Sequence, residues 1–199
     1  MDKAVLVGAD IKKDGMIDYY MEELVNLAEA KNIEVVYTIT QAVKSITANF
    51  FIGSGKVLEI KQFVDNLDAD MVIFNDELSG SQLRNLENAL DCRVIDRTLL
   101  ILDIFAERAK TKEAMLQVEI AQLNYMLPRL VGLTESLNRQ QGGIGSKGPG
   151  EKKLELDRRK ILNDRVNLQK ILDLLISDKE ITYHFGLTQY FARIKCIRI

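Results

Sequence analysis

Histidine is nearly missing from this 199-residue chain, where His184 stands alone. The only cysteines, Cys92 and Cys196, lie far apart and neither belongs to a CxxC pair. Together these three residues leave too few ligands for a structural zinc site, and no metal site is expected. The two thiols read as reduced side chains rather than as a disulfide framework. No apolar stretch approaches the roughly 18 residues that a membrane span needs. The start, Met1-Asp2-Lys3-Ala4-Val5-Leu6-Val7-Gly8, has too short an apolar run for a secretory signal. A cytoplasmic protein without a membrane partner is the expectation. Nucleotide-hydrolysis signatures are also lacking. A Walker loop needs GxxxxGK followed by Ser or Thr, whereas here Gly143 is followed five residues later by Gly148 and then by Pro149. Gly53-Ser54-Gly55-Lys56 lacks the earlier glycine, and Leu58 stands where a dinucleotide fingerprint would have its third. Asp76, Glu77 and Asp96 fall at expected strand ends without a histidine or nucleophile nearby in sequence, so no catalytic residue is assigned.

What is present describes two unlike halves. The hydrophobic content of 47% suffices for a sizeable core. Residues 1–96 carry 9 Lys and Arg against 17 Asp and Glu, a net of −8; residues 97–199 carry 18 against 12, a net of +6. That asymmetry points to a polyanion facing the second half.

The first half alternates short apolar runs with helical patterns. Ala4–Val7, Glu34–Thr40, Met71–Phe74 and Arg93–Ile95 read as strands. Between them, Ile17–Ala30, Val57–Leu67 and the stretch carrying Leu83, Leu86 and Leu90, with Ser79 as N-cap, have helical spacing. A β-α-β-α-β-α-β succession with short connections predicts a small parallel sheet flanked by helices, over residues 1–97.

From residue 98 to 176 the pattern becomes that of two long helices. Leu116, Ile120, Leu123, Leu127 and Leu130 share one face, and Leu154, Ile161, Leu168 and Leu175 recur every seven residues. Between them lies Gly142-Gly143-Ile144-Gly145-Ser146-Lys147-Gly148-Pro149-Gly150, with five glycines in nine residues. The expectation is a long antiparallel two-helix coiled arm with a glycine-rich tip at 142–150. Residues 139–170 hold nine bases, including Arg139, Lys147, Lys152, Lys153, Arg158 and Arg159, against four acids. Glycine backbone amides and basic side chains together suit phosphate contact, although a flexible linker beside a solvated helix face has the same composition. Gly53, Ser54, Gly55 and Lys56 form either an anion-binding turn or a plain helix opening. Residues 177–199, aromatic and β-branched, match neither half.

Several of these motifs resemble the N-terminal domain of the HflX family of ribosome-associated GTPases. The resemblance rests on Phe51-Ile52-Gly53-Ser54-Gly55-Lys56-Val57, Ala69 to Ser79, Val94-Ile95-Asp96-Arg97-Thr98 and Ile101 to Ala106. Leu116 to Leu123, Leu127-Pro128-Arg129-Leu130 and Gly142 to Glu151 extend it, so that it covers roughly residues 1–175. Asn75 and Leu99 depart from the more usual Asp and Gly. The resemblance implies a partner in the large ribosomal subunit and its rRNA, not DNA. It implies rRNA contacts at Arg129, Arg139, Gly142, Gly143, Ile144, Gly145, Lys147, Gly148, Gly150, Lys152, Lys153, Arg158 and Arg159. The family's GTPase motifs have no counterpart here, so GTP and Mg2+ are expected only of full-length members and no enzymatic activity of this chain. The alternatives are nucleotide binding at Gly53–Lys56, or an inactive truncated remnant.

Overall fold

The structure is a computed structural model that describes residues 1–11, 15–43, 46–140 and 149–178; the side chains of 131–140, 149–154 and 174–178 fall outside that description. Its elements are β1 (Lys3–Asp10), α1 (Ile17–Ala30), β2 (Glu34–Ala42), α2 (Ser54–Leu67), β3 (Met71–Phe74), α3 (Gly80–Leu90), β4 (Arg93–Asp96), α4 (Arg97–Arg108), α5 (Lys112–Gln140) and α6 (Pro149–Asp178). The expected alternation in the first half is present, and all three strand pairings are parallel.

The strand order is β2-β1-β3-β4. The central strands β1 and β3 are buried on both faces, which is why Ala4–Val7 and Met71–Phe74 are continuous apolar runs without alternation. One face packs Val5, Val7, Val72 and Phe74 against Ile60, Val64 and Leu86 of α2 and α3. The other packs Ala4, Leu6 and Ile73 against Leu24 and Ala28 of α1 and Leu100 and Ile104 of α4. α4 therefore belongs to the lobe's core rather than to the helical pair.

The single helical stretch expected after Arg97 is broken at 109–111. Ala109 leaves the helix with extended backbone, and Thr111 Oγ1 accepts the amide of Ala114 at 3.1 Å, capping the helix that follows. Pro128 lies inside α5 and not at its end. α5 and α6 pack together: Leu116, Ile120 and Leu172 form a small core with Leu168 against it, and farther along Arg165 Nη1 donates to Asn124 Oδ1 at 3.2 Å. Rising numbers on α5 meet falling numbers on α6, so the two helices run antiparallel. α6 opens at Pro149, a residue suited to a first helical turn, so Gly150 lies within that helix. No helix among the described residues is long and apolar enough to cross a membrane.

Candidate functional site

The sheet order reverses at β1 and β3, and beside their carboxyl ends the chain concentrates polar residues, as open parallel sheets do. Asp96 ends β4 and also caps α4. Its side chain is fully buried, accepting the amides of Leu99 at 3.0 Å and Leu78 at 3.1 Å. Its third donor comes from α5, where Arg129 Nη2 stands 2.8 Å away. A buried carboxylate with three donors, one of them cationic, satisfies the conditions under which a charge can leave water.

Arg129 is itself buried, at 8% exposure. Its Nη1 donates to the Tyr125 carbonyl at 2.8 Å, and its Nη2 also lies 3.4 Å from Glu77 Oε1. The guanidinium sits over the Tyr125 ring, with Cζ 3.3 Å from the centroid. Arg129 Nε and the Tyr125 hydroxyl have no hydrogen-bond partner among the described residues. Burial, and then the nearby Asp96 carboxylate, push the Tyr125 phenol far above its ordinary value, against a smaller opposing pull from Arg129.

The backbones also meet here. A Cβ on Gly80 would lie 2.0 Å from the Arg129 carbonyl oxygen, so only glycine lets α3 begin where it does. Ser79 and Gln82 form a reciprocal capping box, as the Ser79 position suggests, and Gln82 Nε2 also donates to the Thr47 carbonyl at 2.9 Å. That bond pins the turn from Thr47 to Phe51, in which Phe51 takes a left-handed φ of 69° with its ring buried. An open groove of about 390 Å³ runs between this turn, the start of α3 and Pro128.

The expected site residues do not form one cluster. Arg129, expected among the rRNA-facing cations, is paired with Asp96 and Glu77 where α5 packs on the lobe. Arg158 and Arg159 are on the solvent side of α6, both beside Glu155, at 3.7 and 3.2 Å. Arg139, Lys152 and Lys153 lie on helix backbone, but their side chains are outside the described residues, as are Gly142, Gly143, Ile144, Gly145, Lys147 and Gly148.

Gly53–Lys56 opens α2. The Gly53 amide donates to Gln41 Oε1 at 3.2 Å, and Lys56 pairs with Glu59 at 2.7 Å. Arg97, next to Asp96 in sequence, meets Glu23 at 2.5 Å and Asn75 Oδ1 at 3.2 Å. No group of three potential metal ligands occurs among the described residues.

Comparison with known proteins covers both halves. Residues 18–106 match the family described as "GTP-binding GTPase N-terminal", and residues 108–183 that described as "GTP-binding GTPase Middle Region". The GTPase HflX of Caldanaerobacter subterraneus subsp. tengcongensis is 57% identical over 143 residues, 72% of this chain and 33% of that protein. The Escherichia coli GTPase HflX is 43% identical over 179 residues, 90% of this chain and 42% of that protein. The chain belongs to the HflX family. It spans less than half the length of these HflX relatives and corresponds to their N-terminal portion. Among solved structures, a GTP-binding protein from Sulfolobus solfataricus in complex with GDP superposes with a TM-score of 0.56 at 24% identity, covering 86% of this chain and 47% of that one. That likeness supports the fold of this HflX portion.

Proposed function

We propose that this chain is a module that binds the large ribosomal subunit, reaching rRNA through the basic, glycine-rich segment that joins α5 to α6, with no GTP hydrolysis of its own. The observation that carries the proposal is the register of the helical pair. Asn124 faces Arg165; sixteen residues farther along α5 and sixteen back along α6 are Gln140 and Pro149, the facing ends of the two helices. On this reading the pair is an arm, and residues 141–148 join the facing ends of its two helices. Beyond Arg129, where α5 still packs on the lobe, the helix continues to Gln140, about 16 Å at roughly 1.5 Å per residue. Arg129 and Gly80 hold α5 to the lobe.

Charge supports the same reading. The exposed Arg158, Arg159 and Lys160 continue the cationic character of Arg139, Lys147, Lys152 and Lys153. Glycines at 142, 143, 145, 148 and 150 allow backbone to approach a folded RNA surface closely, while the bases neutralise phosphates. The GTP named for the relatives belongs with the longer proteins, whose remaining length has no counterpart here.

The test is co-sedimentation of the chain with isolated large and small subunits across a salt series, without nucleotide. The expected result is salt-sensitive pelleting with the large subunit alone, weakened and less steep in salt for a Lys147→Glu, Lys152→Glu, Lys153→Glu variant. Absence of pelleting at low salt by folded protein would overturn the binding proposal. Unchanged pelleting of the variant would overturn its placement at the tip.

A further inference from the structure

Where α5 passes the end of β4, several contacts converge on Arg129. Its Nη2 lies 2.8 Å from Asp96, the last residue of β4, and 3.4 Å from Glu77, between β3 and α3. Its Nη1 donates to the Tyr125 carbonyl and its Cζ rests over the Tyr125 ring, so the side chain is also fastened to its own helix. Gly80 lets the start of α3 touch the Arg129 backbone. α5 packs on α4 as well, so it is tied to elements on both faces of the sheet.

This guanidinium has little left to offer a phosphate. It is 8% exposed and shares its charge with two carboxylates. From Arg129 to Gln140, the far end of α5, is about 16 Å at roughly 1.5 Å per residue. Exposed charges are screened over about 8 Å at physiological salt, so the Arg129 charge does not reach that end. Direction does reach it. Over the same length a tilt of about 20° at Arg129 displaces Gln140 by about 6 Å, more than any hydrogen bond spans.

We propose that Arg129 serves subunit binding as a positioning residue and not as an rRNA contact. Clamped by Asp96, Glu77 and Tyr125, it sets the direction in which α5 leaves the lobe, and so where the facing ends of the two arm helices lie. This inference rests on the large-subunit reading above. A clamp has two consequences that a contact does not share. Opposite charges act alike: losing either Arg129 or Asp96 frees the joint and weakens binding, whereas direct electrostatics would make loss of the carboxylate tighten it. The clamp also neutralises no phosphate, so its loss leaves the salt dependence of binding with the same slope.

The test is co-sedimentation with large subunits across a salt series for Arg129→Met, Asp96→Asn and Gly80→Ala, each first confirmed as folded by circular dichroism. Gly80→Ala alters no charge and pushes α3 from α5, and it covers the case in which a charge variant fails to fold. Pulsed dipolar spectroscopy between spin labels at Leu58→Cys and Leu156→Cys, on exposed positions of α2 and α6, reads the joint itself in a Cys92→Ala, Cys196→Ala parent. The expected result is binding weakened roughly tenfold by all three variants at an unchanged salt slope, with a narrow label distance in the parent that broadens in each. A slope reduced by about 1 in Arg129→Met would overturn the proposal and make Arg129 a phosphate contact. Tighter binding by Asp96→Asn, or label distances unchanged in the variants, would overturn it too. A parent that does not pellet overturns the large-subunit reading instead, and the label distances still decide whether Arg129 sets the arm.

Discussion

Asp96 and Arg129 are 33 residues apart in sequence and 2.8 Å apart in space, one closing the last strand and the other in the first arm helix. Each is the other's main electrostatic partner within a nearly dry junction, and their contact fixes where α5 leaves the lobe.

Removing either partner leaves an uncompensated buried charge. Arg129→Met or Asp96→Asn should each lower stability to urea by about 3–5 kcal/mol. The double variant should lose clearly less than the sum of the two, because neither remaining group is then stranded. Strict additivity would mean that the two side chains act independently.

Gly80 and Gly55 make a matched pair of tests. Alanine at Gly80 meets the Arg129 backbone and should cost about 1–3 kcal/mol as α3 and α5 are pushed apart. At Gly55 the added methyl meets nothing within 4 Å, and alanine should stabilise α2 by about 0.5–1 kcal/mol. Thermal melts of both variants check the contrast.

Asp68 ends α2 in left-handed backbone, at φ 53°, with its carboxylate at the negative end of the helix dipole. Asp68→Gly removes both penalties and should raise stability by about 1 kcal/mol. A loss of stability would show that the carboxylate holds a partner worth more than the strain.

Two groups make the fold sensitive to alkali. Burial raises the Cys92 thiol to about 11, and the Tyr125 phenol is raised further. A raised folded-state pKa favours the protonated form, so the contribution is complete below the unfolded-state pKa and declines as pH rises through the folded-state value. Stability should therefore begin to fall near pH 9 from Cys92, and continue to fall at higher pH from Tyr125. Cys92→Ala should flatten the first part of a pH–stability profile and Tyr125→Phe the second. In a Cys196→Ser background, Cys92 should alkylate slowly at neutral pH because it is protonated.

Sequence patterns revealed the lobe well because its signals are local. Runs such as Met71–Phe74 are apolar throughout because both faces are covered, and Ser79 announces α3 three residues before Gln82 completes the capping box. The break at 109–111 was not legible because it lacks glycine and proline; only Thr111, a modest capping residue, marks it. The family resemblance makes Arg129 an rRNA contact, and nothing near it in sequence names Asp96 as its partner. That partnership is created by the crossover of α5 against the sheet, which local periodicity does not encode.

The antiparallel register has an evolutionary corollary. A residue added to either long helix between Asn124 and the end of the pair would rotate everything beyond it by about 100° and turn its apolar stripe away from the opposite helix. Length changes in related chains should therefore arise as matched pairs, one in each helix, or fall between residues 140 and 149, beyond the facing ends of the two helices.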